Sequence, residues 1–179
     1  MNMKIVTTPD PSLRRVALPV EKLDKKLSTQ ITDMIQTLRS AKDPEGVGLA
    51  APQVGINRRL FVIIFNGVPE IFINPVLSNL SKATLSNIYP KAKNRWLEGC
   101  LSVPRLWGFV DRAYSVEVDY LTPIDGKLEK RHRKLEDVDA SYVQHENDHL
   151  DGILFTDRIL EQGGEILEET PNGLSPIEM

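Results

Sequence analysis

The sequence lacks the features of several protein classes. Its 179 residues include one cysteine, Cys100, so an internal disulfide is excluded. No apolar run approaches the ~18 residues of a membrane-spanning helix, and Lys4 and Pro11 interrupt the opening stretch that a signal peptide would need to be apolar. We therefore expect a protein of the cytoplasm, or of an organelle interior, without a membrane partner.

An excess of basic charge is also missing. The formal net charge is -3, so the chain has no overall positive field with which to bind DNA phosphates. Hydrophobic residues make up 41% and charged residues 26%, as in ordinary globular proteins. The length suits one domain, which we predict to cover residues 1–162. The acidic remainder, 163–179, contains Gly and Pro and is predicted to be a flexible C-terminal extension.

Local patterns predict helices and hairpins. Residues 28–40 place Ile31, Met34 and Leu38 at helical spacing, with Ser28 available as N-cap, which predicts an amphipathic N-terminal helix. The apolar run 60–65 ends at Asn66-Gly67, a dipeptide typical of a type I′ hairpin turn. A second hairpin is predicted from residue 115 to 131, with Val116, Val118 and Tyr120 facing inward and a turn at 123–126.

A further helix is predicted from Asp137 or Asp139, either of which could cap it, to about Leu150, with Gly152 as its stop. No repeat or second domain is evident. The fold class that these elements predict is α+β, with antiparallel strands and hairpins packed around this helix.

The predicted helix carries His145-Glu146-Asn147-Asp148-His149, an H-E-x-x-H motif. Residues four apart lie on the same face of a helix, so both imidazoles can reach one metal ion. Glu146 is rotated away from that line and remains available for acid–base chemistry. The motif therefore predicts a catalytic metal centre.

A catalytic centre of this kind needs a third protein ligand. Phe155 stands where a metzincin-like protease has its third histidine, so that class is excluded. His132 lies in a basic run typical of a solvated strand end. A thermolysin-like protease would use a downstream glutamate, and this alternative stays open with Glu161, Glu165, Glu168 and Glu169. Cys100 is the strongest candidate, because Gly99 before it allows close approach and a metal would hold its thiol as thiolate.

Three segments, in this order, resemble the peptide deformylase family. They are Gly46-Val47-Gly48-Leu49-Ala50-Ala51-Pro52-Gln53, Glu98-Gly99-Cys100-Leu101-Ser102 and the H-E-x-x-H segment. Members of that family remove the formyl group from the N-terminal formylmethionine of nascent polypeptides and release formate. The resemblance implies a metal-dependent hydrolase, and the alternatives are a metallopeptidase that cleaves internal peptide bonds and a metal-binding module without turnover.

The resemblance also implies roles for individual residues. Cys100, His145 and His149 would bind one divalent ion, and Glu146 would transfer protons. Gln53 and the backbone N–H of Leu101 would stabilise the oxyanion, while the Gly48 backbone would pair with the extended peptide. Val47 and Tyr142 are candidates for an apolar methionine pocket.

The ligand types suit several metals. The family resemblance favours Fe²⁺, and Zn²⁺, Ni²⁺ or Co²⁺ also fit two imidazoles and a thiolate. The polar loop 78–95 is predicted to be solvated, with a transient contact to ribosomal RNA as the alternative. Arg112 is predicted to pair with Glu98 or Asp148 and so to orient the metal ligands. Some family members have an arginine near the peptide cleft, after the second motif. In the corresponding stretch this sequence has Arg105 and Trp107.

Overall fold

A computed structural model describes residues 2–42, 46–94 and 96–177. Its helices are α1 (Lys25–Ser40), α2 (Leu85–Ile88), α3 (Asp137–Leu150) and α4 (Phe155–Glu161). Its strands are β1 (Gly48–Ala50), β2 (Leu60–Phe65), β3 (Val68–Ser78), β4 (Glu98–Cys100), β5 (Val103–Gly108), β6 (Ser115–Ile124), β7 (Lys127–Glu136), β8 (Leu167–Thr170) and β9 (Gly173–Pro176). The predicted α+β class is confirmed. None of the described helices is both long and apolar enough to cross a membrane.

A five-stranded antiparallel sheet in the order β1-β2-β3-β6-β7 forms most of the molecule. Asn66 and Gly67 both have positive φ, 50° and 81°, so they form the predicted type I′ turn between β2 and β3. Asp125 and Gly126 turn the chain in the same way between β6 and β7, with φ of 48° and 76°. Both predicted hairpins are confirmed, and the second is longer than predicted.

The main core lies between this sheet and α3. Val116, Val118 and Tyr120 face inward as predicted, and the Tyr120 ring lies 4.4 Å from that of Phe72. Ala140 and Val143 of α3 pack into the same apolar cluster. The helix with the H-E-x-x-H motif is therefore held inside the molecule, with its polar side chains directed into a buried region.

The helix α1 packs through Leu27, Ile31, Met34 and Leu38, which confirms the amphipathic prediction. It begins three residues earlier than predicted, at Lys25. The N-cap is Asp24, whose carboxylate accepts the Leu27 backbone N–H at 2.8 Å. The prediction of Ser28 as N-cap was wrong, because its hydroxyl lies inside the first turn and donates to the Asp24 carbonyl at 3.0 Å.

The start of α3 also differs from the prediction. Its N-cap is Glu136, which makes no side-chain capping bond, whereas Asp137 and Asp139 lie in the first turn. Carboxylates in that turn still stabilise the helix, because they interact favourably with the positive end of its dipole. Gly152 follows the helix with φ of 73°, as expected for its predicted stop, and a side chain there would meet the Arg14 carbonyl.

A second antiparallel sheet has the order β4-β5-β8-β9. Its last two strands lie in the segment 163–179, which was predicted to be a flexible extension and in which β8 and β9 form a hairpin. These strands are mostly exposed and polar, so nothing in their own pattern indicates a sheet. Their order comes from pairing with β5, about 60 residues earlier in the chain. The single catalytic domain over residues 1–162 stays a prediction.

The loop 78–95 is less solvated than predicted over its described part, which ends at residue 94. It contains α2 and a short 3-10 turn at Ala92–Asn94. Leu85 and Ala92 are buried, and an isolated bridge joins Thr84 to Ala113. This segment is folded onto the body of the protein beside β6.

Candidate metal centre

The helix α3 carries three of the predicted site residues. His145 and His149, one turn apart, have ring centroids 5.0 Å apart. Glu146 and His149 are buried, with 5% and 1% of their surface exposed. The helix thus presents two imidazoles and one carboxylate to the same interior region.

Cys100, at the end of β4, completes the cluster. Its sulfur lies 3.2 Å from Nε2 of His149, and the ligand atoms of Cys100, His145 and His149 all lie within 4.8 Å of one another. Ligands at about 2.0–2.3 Å from one zinc-like ion have a similar spacing. The structure therefore brings together the three residues that the sequence singled out as ligands.

Hydrogen bonds to the histidines fit a metal centre. The carboxylate of Glu98 lies 2.8 Å from Nδ1 of His145, which leaves Nε2 of that ring for a metal. Such carboxylate–histidine pairs orient ligands and increase their basicity. Nδ1 of His149 is buried and has no partner among the described residues. A thiolate and two neutral imidazoles suit Zn²⁺, Fe²⁺, Co²⁺ or Ni²⁺.

A buried ion-pair network surrounds Glu98. Arg112 donates to both Glu98 oxygens, at 2.5 and 2.9 Å, and to Asp148 at 2.9 Å. The predicted pairing of Arg112 is confirmed, with both partners at once. Burial alone would raise the pKa of Glu98, but the charge and hydrogen bonds of Arg112, with those of His145, lower it to about 2. Glu98 is therefore an anion when it holds His145.

Glu146 has a different environment. Burial raises its pKa to about 7, although the charges of His145 and Arg112 oppose the shift. One of its oxygens, Oε2, has no hydrogen-bond partner among the described residues. A carboxylate with a pKa near neutrality can both accept and return a proton.

Gln53 is fixed beside Cys100 by three hydrogen bonds. Its side-chain oxygen accepts the Ala50 backbone N–H at 2.8 Å. Its Nε2 donates to the Cys100 sulfur at 3.3 Å and to the Ser102 hydroxyl at 3.2 Å. The amide N–H groups are therefore directed toward the metal cluster, where a donor to a substrate oxygen would be needed.

A cleft of about 300 Å³ leads to the cluster. Val47, Gly48 and Leu101 line it, and so does Tyr142 on α3. A larger hollow of about 510 Å³, beside α1, contains none of these residues.

The sequence interpretation missed several residues of the cleft and its support. Those in the cleft wall are Leu85, Trp96, Val110 and Val138. Ser102 holds Gln53, and Glu98 holds His145. Only the position of Glu98 and Ser102 inside the second motif could have indicated their roles. The apolar wall residues carry no pattern that distinguishes them from core residues.

The alternative ligands do not reach the cluster. Phe155 is buried at the start of α4, with its ring 6.1 Å from that of His145. His132 is exposed on β7 and lies 3.0 Å from Asp119. Arg105 contacts Glu168 and the Glu169 backbone, and Arg158 contacts Glu161. No described glutamate of the tail belongs to the group of ligand atoms around Cys100.

Two imidazoles and a thiolate would leave a coordination position for water, and beside them lies the Glu146 carboxylate, whose Oε2 accepts no hydrogen bond from the described residues. A centre of this kind is typical of metal-dependent hydrolases with an H-E-x-x-H helix, in which two ligands and the proton acceptor lie on one helix.

Comparisons with known proteins identify the family within this class. The family model of polypeptide deformylase matches residues 2–164. Peptide deformylase 1 of Clostridium acetobutylicum is 40% identical over 155 residues, which cover 87% of this chain and 93% of that protein. The crystal structure of peptide deformylase from Thermotoga maritima has a TM-score of 0.75 at 37% identity, covering 88% of this chain and 97% of the other.

A third comparison extends over the C-terminal segment as well. A peptide deformylase from Synechococcus elongatus, solved in complex with actinonin, has a TM-score of 0.75 at 31% identity, and the match covers 98% of this chain and 91% of the other. The chain belongs to the polypeptide deformylase family. It is accordingly a metal-dependent hydrolase that removes the formyl group from the N-terminal formylmethionine of nascent polypeptides, and cleavage of internal peptide bonds is not favoured.

Proposed function

We propose that deformylation takes place at the cluster of Cys100, His145 and His149, with these three side chains as the ligands of one divalent ion. The observation that carries this assignment is the convergence of their ligand atoms within 4.8 Å, beside Glu146 and at the base of the cleft. Such an ion supplies a nucleophile at neutral pH by lowering the pKa of water from about 15.7 towards 7, and it polarises the formyl carbonyl.

Glu146 is the proposed proton carrier. Its unpaired Oε2 is available to accept the proton of the attacking water. It then passes that proton to the amine nitrogen that leaves as the new N-terminus, so that formate and a free methionine amine result. A pKa raised to about 7 suits both halves of this transfer.

Gln53 and the backbone N–H of Leu101 are the proposed oxyanion donors. The Gln53 amide cannot rotate freely, because its oxygen is held by Ala50 and its nitrogen by Cys100 and Ser102. To donate to the oxyanion, Nε2 would exchange its bond to the Cys100 sulfur for one to the substrate oxygen, while the bonds to Ala50 and Ser102 keep the amide in place. Each such donor contributes about 3 kcal/mol in comparable acyl-transfer sites.

The substrate is proposed to bind as an added strand. In the described part of the large sheet, β1 is an edge strand, so one side of the Gly48 backbone is free to pair with an extended peptide. The methionine side chain would enter the cleft between Val47 and Tyr142. Thioether side chains pack well in such irregular apolar spaces.

Fe²⁺ is the proposed metal in the cell. The thiolate of Cys100 and two imidazoles support a borderline-soft ion, and Zn²⁺, Ni²⁺ or Co²⁺ would bind the same ligands. Anaerobic purification followed by elemental analysis tests this proposal. Stoichiometric zinc with only traces of iron in protein kept under argon would contradict it.

The place of action is proposed to be the cytoplasm or an organelle interior, where formylated chains are synthesised. A transient ribosome contact fits this setting. Lys82, Lys91 and Lys93 are exposed on the segment between β3 and β4 and would favour an RNA surface. Ribosome co-sedimentation that is unchanged after all three are replaced by Ala would contradict that contact.

Formate release from a formyl-Met peptide by the purified, metal-loaded protein tests the activity. An internally quenched peptide without a formyl group, which we expect to remain intact, tests for endopeptidase action. The ligand set is tested separately with Cys100→Ala, which we expect to lose stoichiometric metal. Full metal content in that variant would contradict the role of Cys100.

A further inference from the structure

We infer that the C-terminal hairpin formed by β8 and β9 is a positioning element of the metal centre. By pairing with β5 it fixes the register of β4, the strand that carries Glu98 and Cys100. This inference rests on the proposed role of Cys100 as a ligand.

The backbone pairing of β4 alone determines its register only weakly, although the side chain of Glu98 is held by Arg112. It is three residues long, and two of these are the ligand Cys100 and the ligand-orienting Glu98. It pairs with β5 through Glu98 to Gly108 and Gly99 to Trp107, and then shifts register so that Cys100 pairs with Val103. A two-stranded ribbon is marginally stable in water, and a short strand with glycine and a shift is prone to slip.

The hairpin gives β5 a second strand partner at Trp107, the residue that also pairs with Gly99 of β4. Leu106 pairs with Glu168, and Trp107 pairs with Leu167. The Trp107 backbone is thus held between Gly99 on one side and Leu167 on the other. With the hairpin in place, β5 is an inner strand of a four-stranded sheet, which has the strand number needed for independent stability.

Two further contacts fasten the hairpin to β5 and to the apolar cluster around the cysteine. The Arg105 guanidinium donates to the Glu169 carbonyl at 2.8 Å, and its Nη2 lies 3.7 Å from the Glu168 carboxylate. At the base of the hairpin, the Ile177 N–H donates to the Ile166 carbonyl at 3.0 Å. Ile166 itself packs against the cluster that contains Cys100.

The Trp107 side chain transmits this restraint to β4. Its ring lies over Gly99 so closely that a Cβ at that position would be 2.6 Å from it. Trp107 lines the main cleft and also a small cavity of about 90 Å³, which Cys100 and Glu169 line as well. Loss of the hairpin would therefore free the indole, open the space beside the thiolate to water and loosen the position of Cys100.

The test compares the full-length protein with a chain that ends at Ile166, which keeps the packing of Ile166 but removes both strands. Leu174→Ser is the matched control, because Leu174 is exposed on β9 and pairs with Glu169 rather than with β5. Each protein is loaded with Co²⁺. The thiolate-to-cobalt absorption band and the rate of cobalt loss to a chelator are measured, together with kcat and KM for a formyl-Met peptide.

We expect the shortened chain to lose cobalt about 10- to 100-fold faster, as for other changes beyond the metal ligands, with a shifted thiolate band. Leu174→Ser should match the full-length protein. A shortened chain with native circular dichroism, an unchanged band and a loss rate within about twofold of full length would overturn the inference.

If the shortened chain does not fold, Arg105→Ala is the second test, since it keeps both strands and removes only the side-chain contacts of Arg105 with the Glu169 carbonyl and the Glu168 carboxylate. Faster cobalt loss in that variant supports the inference, and an unchanged rate and band overturn it. Formate release by the full-length protein tests the proposed function separately. Its absence, together with hairpin-dependent cobalt retention, would overturn the function and leave the positioning role intact.

Discussion

At several positions in this site, the neighbouring side chain determines which residue type fits. Gly48 illustrates this, because a Cβ at that position would overlap the carboxylate of Glu146. The absence of a side chain leaves space for the Glu146 carboxylate beside the proposed metal ligands, and it keeps the edge of β1 open for the proposed peptide pairing.

The role of Glu146 is tested by Glu146→Gln, which removes the proton acceptor while the side-chain shape is kept. We expect kcat to fall by at least about 100-fold, the lower end of the range for general acid–base catalysis. Metal content should be unchanged, because this residue is not among the proposed ligands. Full activity in a metal-loaded variant would contradict the proton role.

The contact between positions 48 and 146 is tested by Gly48→Ala. The added methyl group must displace the Glu146 carboxylate, so we expect at least about a tenfold loss of kcat, part of the general-base contribution, with metal retained. The double variant Gly48→Ala/Glu146→Asp shortens the displaced side chain. Two results together would contradict a functional role for this overlap. Gly48→Ala alone would have the full kcat, and the double variant would have no higher kcat than Glu146→Asp alone.

Helices and strands were predictable from the sequence where local signals agree. Asn66-Gly67 and Asp125-Gly126 supply the positive φ values of tight hairpins, and both hairpins formed as predicted. The predicted N-cap of α1 was wrong because the apolar pattern that begins at Ile31 does not show that Leu27 is also buried, so the first turn before it was missed.

The cap of α1 is tested by Asp24→Ala, which removes the bond to the Leu27 N–H. We expect the free energy of unfolding to fall by about 1 kcal/mol, the usual cost of a lost N-cap. Ser28→Ala is the matched control and should change it by less than about 0.5 kcal/mol. Urea denaturation measures both, and an equal effect of the two changes would contradict the assignment of Asp24.

At the scale of the whole molecule, the metal cluster is held by segments that are far apart in the chain. In the N-terminal segment, the Val6 N–H donates to the Gln53 carbonyl and the Thr8 N–H donates to the Ser102 carbonyl. The three motifs singled out Cys100, His145 and His149, which the structure brings together, because the chemistry of each residue is local to its motif. The supporting contacts, and the hairpin beside β5, join distant segments and leave no local pattern from which to predict them.

The N-terminal segment is also tied to α4 by the ion pair of Arg14 and Asp157. Burial would raise the pKa of Asp157, but hydrogen bonds from Arg14 and the Leu154 N–H, with the charge of Arg14, lower it below its ordinary value. A lowered pKa means that this carboxylate stabilises the fold above the unfolded-state pKa of about 3.9. The contribution is lost as the pH falls through the lower folded-state value.

We therefore expect Asp157→Asn to be less stable than the parent near pH 7, by less than about 1 kcal/mol because both side chains are partly exposed. The difference should shrink as the pH approaches about 3. Urea denaturation at both pH values measures it, with the exposed Glu165→Gln as control for a general charge effect. A stability difference that grows toward acid pH would contradict this origin.

The placement of the tryptophans has a practical consequence. The chain has two, Trp96 and Trp107, and both line the cleft that leads to Cys100. All indole fluorescence of this protein therefore originates from two residues that line a single cleft. Titration with peptides or inhibitors should be visible in the intrinsic emission of the unlabelled protein, and Trp96→Phe and Trp107→Phe would divide that signal between the two residues.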